Sequence, residues 1–106
     1  MSEITTIQEF ADAIGDETKK LVVVDFFTTW CGPCKRIAPF YYSLAEKYHD
    51  VGFYKIDADK ADVKAVTQAC EVKSFPTFCI FIGGKYTSKV LGANESELEK
   101  AIRENL

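Results

Sequence analysis

The stretch Leu21-Val22-Val23-Val24-Asp25-Phe26-Phe27 is apolar and β-branched on both alternating faces, apart from one carboxylate. Such a run reads as a strand covered on both sides, which predicts a central strand over residues 21–28 in a sheet with helices on both faces. The strand leads almost directly into Trp30-Cys31-Gly32-Pro33-Cys34. Any fold for this chain must therefore bury the strand and present a cysteine pair at its carboxyl end.

The flanking pattern supplies the helices. Ile7, Phe10, Ala11 and Ile14 recur at helical spacing before Gly15, predicting a helix over residues 6–14 after a short strand at 3–5. Ile37, Ala38, Tyr41, Leu44, Ala45 and Tyr48 keep the same period, predicting a long helix over 34–48 that Pro39 kinks. A strand at 51–58, a helix at 62–70 and a strand at 77–82 follow. The last strand turns at Gly83-Gly84 into a hairpin partner at 86–91. A final helix is capped by Asn94, with Glu97 completing an Asn-x-x-Glu signal and Leu98, Ala101 and Ile102 facing the core. The order β-α-β-α-β-α-β-β-α predicts a mixed sheet with active chemistry at the carboxyl ends of its parallel strands.

At 106 residues, with 47% hydrophobic and 27% charged residues, the composition is that of one soluble domain. No repeat, low-complexity tract or linker divides residues 1–106. Thirteen Lys and Arg against sixteen Asp and Glu give a net charge of −3, with the cations scattered. No basic stripe points to nucleic acid, and no apolar run approaches the roughly 20 residues that cross a bilayer. The N-terminal residues show no secretory pattern, so a cytoplasmic location is expected.

The cysteines carry the chemistry. A helix N-terminus exposes unpaired N–H groups and the positive end of the helix dipole, which favours a thiolate at Cys31 and makes it the expected nucleophile. Cys34 lies one turn further in, placed to close a disulfide and act as the resolving thiol. Pro33 suits a first helical turn, and Gly32 leaves room for a substrate backbone. Closing so short a loop removes only about 2 kcal/mol of unfolded-chain entropy, which suits a switch better than a staple. The alternative, half of a zinc site, needs two further ligands from His49, Cys70 or Cys79, and no second C-x-x-C or H-x-x-x-H is present.

Asp25 interrupts an apolar strand, where burial raises a carboxyl pKa, making it a candidate to accept the Cys34 proton. A purely structural buried acid is the alternative. Lys55, on the next strand, is placed to pair with Asp25, although a solvated lysine fits equally. Asp57 and Asp59 read as solvated strand-end charges. The Phe75-Pro76 bond is open to either isomer, trans being the commoner. Cys79 reads as an inert buried thiol and Cys70 as structural filler, with an exposed oxidation site as the alternative for Cys70. His49 reads as a helix-end residue.

The segment VDFFTTWCGPCKRIAPF closely resembles the active-site segment of the thioredoxin family, and KIDAD, FPTF and LGAN stand where that family has matching features. The resemblance covers nearly the whole chain. It implies the thioredoxin fold, a three-layer α/β/α arrangement of a mixed sheet of five strands and four helices. It further implies a cis Pro76, assistance of Cys34 by Asp25 and Lys55, and a substrate groove of Trp30, Phe75, Pro76 and Gly92 beside Gly32 and Pro33. The implied activity is protein-disulfide reduction by a redox-active Cys31–Cys34 pair donating electrons to cellular redox enzymes. The implied partners are disulfide-containing proteins and a thioredoxin reductase, with NADPH used only through that reductase, no cofactor bound here, and a monomeric state.

The Gly-Pro spacer resembles reducing members more than the disulfide-forming ones, which often carry Gly-His. CKRIAPF and CEVKSFPTF look more like eukaryotic than bacterial members. Ser74 departs from some animal relatives that have a cysteine there, and Thr28 replaces a commonly small alanine with a modest expected effect. A binding module using the same groove without turnover, and a thiol oxidase or isomerase, are the competing classes.

Overall fold

In the computed structural model, which describes residues 1–106, five strands form one sheet. They are β1 (Ser2–Glu3), β2 (Leu21–Phe27), β3 (Val51–Asp57), β4 (Thr77–Ile82) and β5 (Lys85–Leu91), in the order β1-β3-β2-β4-β5. β1, β3 and β2 run parallel, β4 adds antiparallel to β2, and β5 adds antiparallel to β4. The apolar run thus occupies the middle of the sheet, as its two-sided pattern requires.

Strand alternation divides the core into two layers. Val22, Val24 and Phe26 face one way and pack with Ala13, Val63 and Val66 from α1 (Ile7–Ile14) and the segment around α3 (Lys64–Ala69). Leu21 and Val23 face the other way, onto Ile37, Tyr41 and Leu44 of α2 (Gly32–Lys47) and Leu98 and Ile102 of α4 (Glu95–Glu104). Asp25 falls in register with Leu21 and Val23, so the strand's own period carries a carboxylate under α2.

The helix ends follow local chemistry. Thr6 Oγ1 accepts the Glu9 amide at 3.0 Å, and Asn94 Oδ1 accepts the Glu97 amide at 3.1 Å, each satisfying an otherwise unpaired first-turn donor. Gly83 and Gly84 both take positive φ, 59° and 79°, the twist that a tight hairpin needs and that side chains resist.

Most boundaries fall within one residue of the sequence pattern, and three elements depart from it further. The segment predicted as one helix over 62–70 is a 3-10 turn, Ala61–Val63, followed by α3. α2 begins at Gly32, ahead of its first apolar residue, and continues through Pro39. The N-terminal strand is Ser2–Glu3 instead of 3–5.

Candidate active site

Cys31 is the N-cap of α2, and Gly32, Pro33 and Cys34 form its first turn. The two sulfurs are joined in a disulfide across a Cα–Cα distance of 5.3 Å. The Cys34 amide donates to Cys31 Sγ at 3.1 Å, so a free helix N–H is aimed at the sulfur expected to carry negative charge. Both cysteines are only 5% exposed, and exposure therefore does not tell them apart. Position does: Cys34, but not Cys31, lines a cleft of about 290 Å³ that also holds Asp25, Thr28, Tyr42 and Lys55.

Asp25 is 5% exposed, and its Oδ1 has no hydrogen-bond partner. Burial pushes its carboxyl up to about 7 from an ordinary 3.8, with the positive charge of Lys55 acting in the opposite direction. A carboxyl group balanced between its two forms near neutral pH can take up and return a proton. Lys55 is the register neighbour of Asp25 across β2 and β3. The two form no direct ion pair. Lys55 Nζ instead donates to the Tyr42 hydroxyl at 3.2 Å and lies 5.7 Å from the centres of the Phe27 and Tyr42 rings.

The residues expected to form a substrate groove lie together. Trp30, 68% exposed, packs edge-to-face with Phe75 at 6.2 Å. The Phe75–Pro76 bond is cis, the isomer that the family resemblance implied. The Gly92 amide donates to the Pro76 carbonyl at 2.9 Å, and Gly92 has a φ of 85°, which favours glycine. A Cβ built on Gly32 would meet no atom within 4 Å, so packing inside the chain does not explain that glycine.

Several contributors are not visible in the sequence pattern. The Trp30 indole Nε1 donates to Asp59 Oδ2 at 2.8 Å, tethering the exposed ring from the loop after β3. Asp57, expected in solvent, is buried and accepts the Asp59 amide on Oδ1 at 3.0 Å, shaping that loop. Tyr41 is fully buried beneath the site, and its hydroxyl lies 3.1 Å from the Val23 carbonyl and 2.8 Å from that of Tyr54, clamping α2 to the sheet. Tyr42 repeats none of this burial, yet it orients Lys55. The only sequence signal for these roles is that buried Tyr and Trp need partners for their polar ends. Thr28 is also buried, with its hydroxyl unpartnered.

A disulfide that closes across the first turn of a helix, above a buried carboxyl group, defines a thiol–disulfide oxidoreductase. A family model described as Thioredoxin matches residues 2–104. The chain is 52% identical over 105 residues to a thioredoxin-like protein of Acanthamoeba polyphaga mimivirus, covering 99% of this chain and 77% of that one. It is 51% identical over 100 residues to human thioredoxin, covering 94% and 90% of the two chains. The X-ray structure of Fasciola hepatica thioredoxin superposes with a TM-score of 0.93 at 34% identity, covering 100% of both chains. The chain belongs to the thioredoxin family, and its activity is that of a protein-disulfide reductase.

Proposed function

We propose that the chain works as a single-domain, monomeric cytoplasmic thioredoxin, reduced by a thioredoxin reductase and passing electrons to disulfide-containing proteins. The Cys31 thiolate attacks a substrate disulfide, forming a mixed disulfide and releasing one substrate thiolate. Asp25 takes the Cys34 proton, and the Cys34 sulfur attacks Cys31 to release the second substrate thiolate. The product is the Cys31–Cys34 disulfide. Lys55 limits the cost of ionising Asp25. Trp30, Phe75, Pro76 and Gly92 hold the substrate chain against Gly32 and Pro33. NADPH is consumed by the reductase, and this chain binds no cofactor of its own.

The observation that carries the reading is the placement of Cys34 in the same cleft as an Asp25 carboxyl group held near neutral pKa. It gives the resolving thiol a base. The test is NADPH oxidation during reduction of a protein disulfide, with thioredoxin reductase supplied. Turnover that depends on the reductase and disappears in Cys31→Ser is the expected result. Absence of turnover with several reductases, together with retained biological activity in a Cys31→Ser, Cys34→Ser chain, would replace it with a non-catalytic binding role.

A further inference from the structure

The other two cysteines are also brought together, on the opposite face of the sheet. Cys70 follows the last residue of α3 and Cys79 lies in the middle of β4. Both are free thiols in the core cluster between the sheet and α1 and α3. Their approach is built into the backbone around them. Glu71, immediately after Cys70, takes a positive φ of 54°, turning the chain sharply at the end of α3. Its carbonyl accepts a hydrogen bond from Lys89 Nζ at 3.1 Å, and Lys89 is the direct register partner of Cys79 across β4 and β5. The helix end that carries Cys70 is thereby tied to the strand position that carries Cys79.

The two sulfurs are not equivalent. Cys70 is 8% exposed, whereas Cys79 is wholly buried, so only Cys70 reaches solvent. The neighbouring Cys79 thiol holds the Cys70 pKa below its ordinary value, and the Lys89 charge helps, while burial opposes both. Cys70 and burial together raise that of Cys79. Exposure and the nearby Lys89 ammonium thus favour Cys70 as the attacking sulfur.

We propose that Cys70 and Cys79 are a second redox couple, separate from the active site, that closes to an intramolecular disulfide when the chain meets a small hydroperoxide. The Cys70 thiolate attacks a peroxide oxygen and breaks the O–O bond, giving a sulfenic acid at Cys70 and hydroxide that takes a proton to become water. The Cys79 thiol then gives up its proton as its sulfur attacks the Cys70 sulfur. The S–O bond breaks, and a second water leaves. Two thiols and one hydrogen peroxide become one disulfide and two waters. Reduction of the couple by external dithiol reverses the change.

The experiment uses the full chain in a Cys31→Ser, Cys34→Ser background, reduced, freed of reductant and treated with hydrogen peroxide. Remaining thiols are alkylated under denaturing conditions, and the intact mass and the non-reduced peptide map are read. The expected product has lost two hydrogens, takes up no alkylating agent and yields one cross-linked peptide joining Cys70 to Cys79. Adding Cys79→Ala to that background should leave oxygen on Cys70 without a cross-link. The unsubstituted chain provides the same reading free of any folding defect, losing four hydrogens in total instead of two. The proposal is overturned if both thiols remain fully alkylated at a peroxide dose that closes the active-site pair. It is equally overturned if Cys70 keeps added oxygen while Cys79 is present, or if Cys70 links two chains.

Discussion

The two faces of the sheet bury apolar clusters of the same size, eleven residues each, yet only one of them tolerates unpaired polarity. The three buried polar atoms without a partner are Asp25 Oδ1, Thr28 Oγ1 and Ser88 Oγ. Asp25 and Thr28 line the cleft under α2, and Ser88 is the register partner of Ile80, which packs on that same side. The face toward α1 and α3 contains no such atom and holds the free thiols of Cys70 and Cys79. An unpaired buried polar group costs stability. That cost is concentrated on the face where a disulfide must open and close. The same residue type, cysteine, therefore meets two environments: a helix cap above a buried acid, and a packed core with access for one sulfur only.

The largest effect expected of any change to this contrast is on the active pair. Cys34→Ser should accumulate a covalent mixed disulfide between Cys31 and substrate, with turnover falling by roughly 10³-fold or more, the scale on which loss of a reacting group registers. Cys79→Ala should trap no substrate under the same conditions. Mass spectrometry of the non-reduced adducts reads both. Equal trapping at the two positions would erase the distinction between the faces.

Asp25→Asn comes next, because it removes the most costly group on the active face. Resolution of the mixed disulfide near pH 7 should slow by about 10²-fold, a typical contribution of general acid–base assistance. Stability should move the other way. Because the folded chain holds the Asp25 proton up to about pH 7 while the unfolded chain releases it near 3.8, stability falls as pH rises through that window. The penalty is complete above it and amounts to roughly 4 kcal/mol at most. Denaturant titrations at several pH values should show a shallower slope in Asp25→Asn and greater stability than the parent at pH 8. An unchanged slope would mean that this carboxyl group is not the source of the penalty.

Much of this architecture is legible before any coordinates. The two-sided apolar run placed β2 in the middle of the sheet, and β4 spans 77–82 as its pattern indicated. Asp25 could be recognised as buried because it interrupts a strand that is apolar on both faces. The start of α2 was less visible: Gly32 and Pro33 face solvent, so apolar periodicity begins only after the helix has started. The 3-10 turn at Ala61–Val63 lasts too short a distance for its period to be told from that of a helix. Long-range pairs were the least legible. Asp59 meets Trp30 from a loop after a different strand, and Cys70 joins the core cluster of Cys79 from a helix end distant in sequence. Alternation places Cys79 on one face of its strand, but no local pattern states which helix end arrives there.

Thr28 supplies the smallest and sharpest test of the contrast between faces. Its hydroxyl is buried without a partner in the cleft that holds Asp25 and Cys34, and its backbone carbonyl accepts the Cys31 amide at 3.3 Å. Valine keeps the β-branched shape while deleting the hydroxyl, and the carbonyl contact remains available. If the hydroxyl contributes only its desolvation cost, Thr28→Val should stabilise the chain by about 1 kcal/mol in denaturant melts and leave reductase-coupled turnover within twofold. If the hydroxyl instead serves the proton held at Asp25, turnover should fall and its pH midpoint should shift, with Thr28→Ser restoring both. The first outcome makes the unpaired polarity of this face a cost tolerated at Thr28 and used only at Asp25. The second extends the working acid–base site by one residue toward the start of α2.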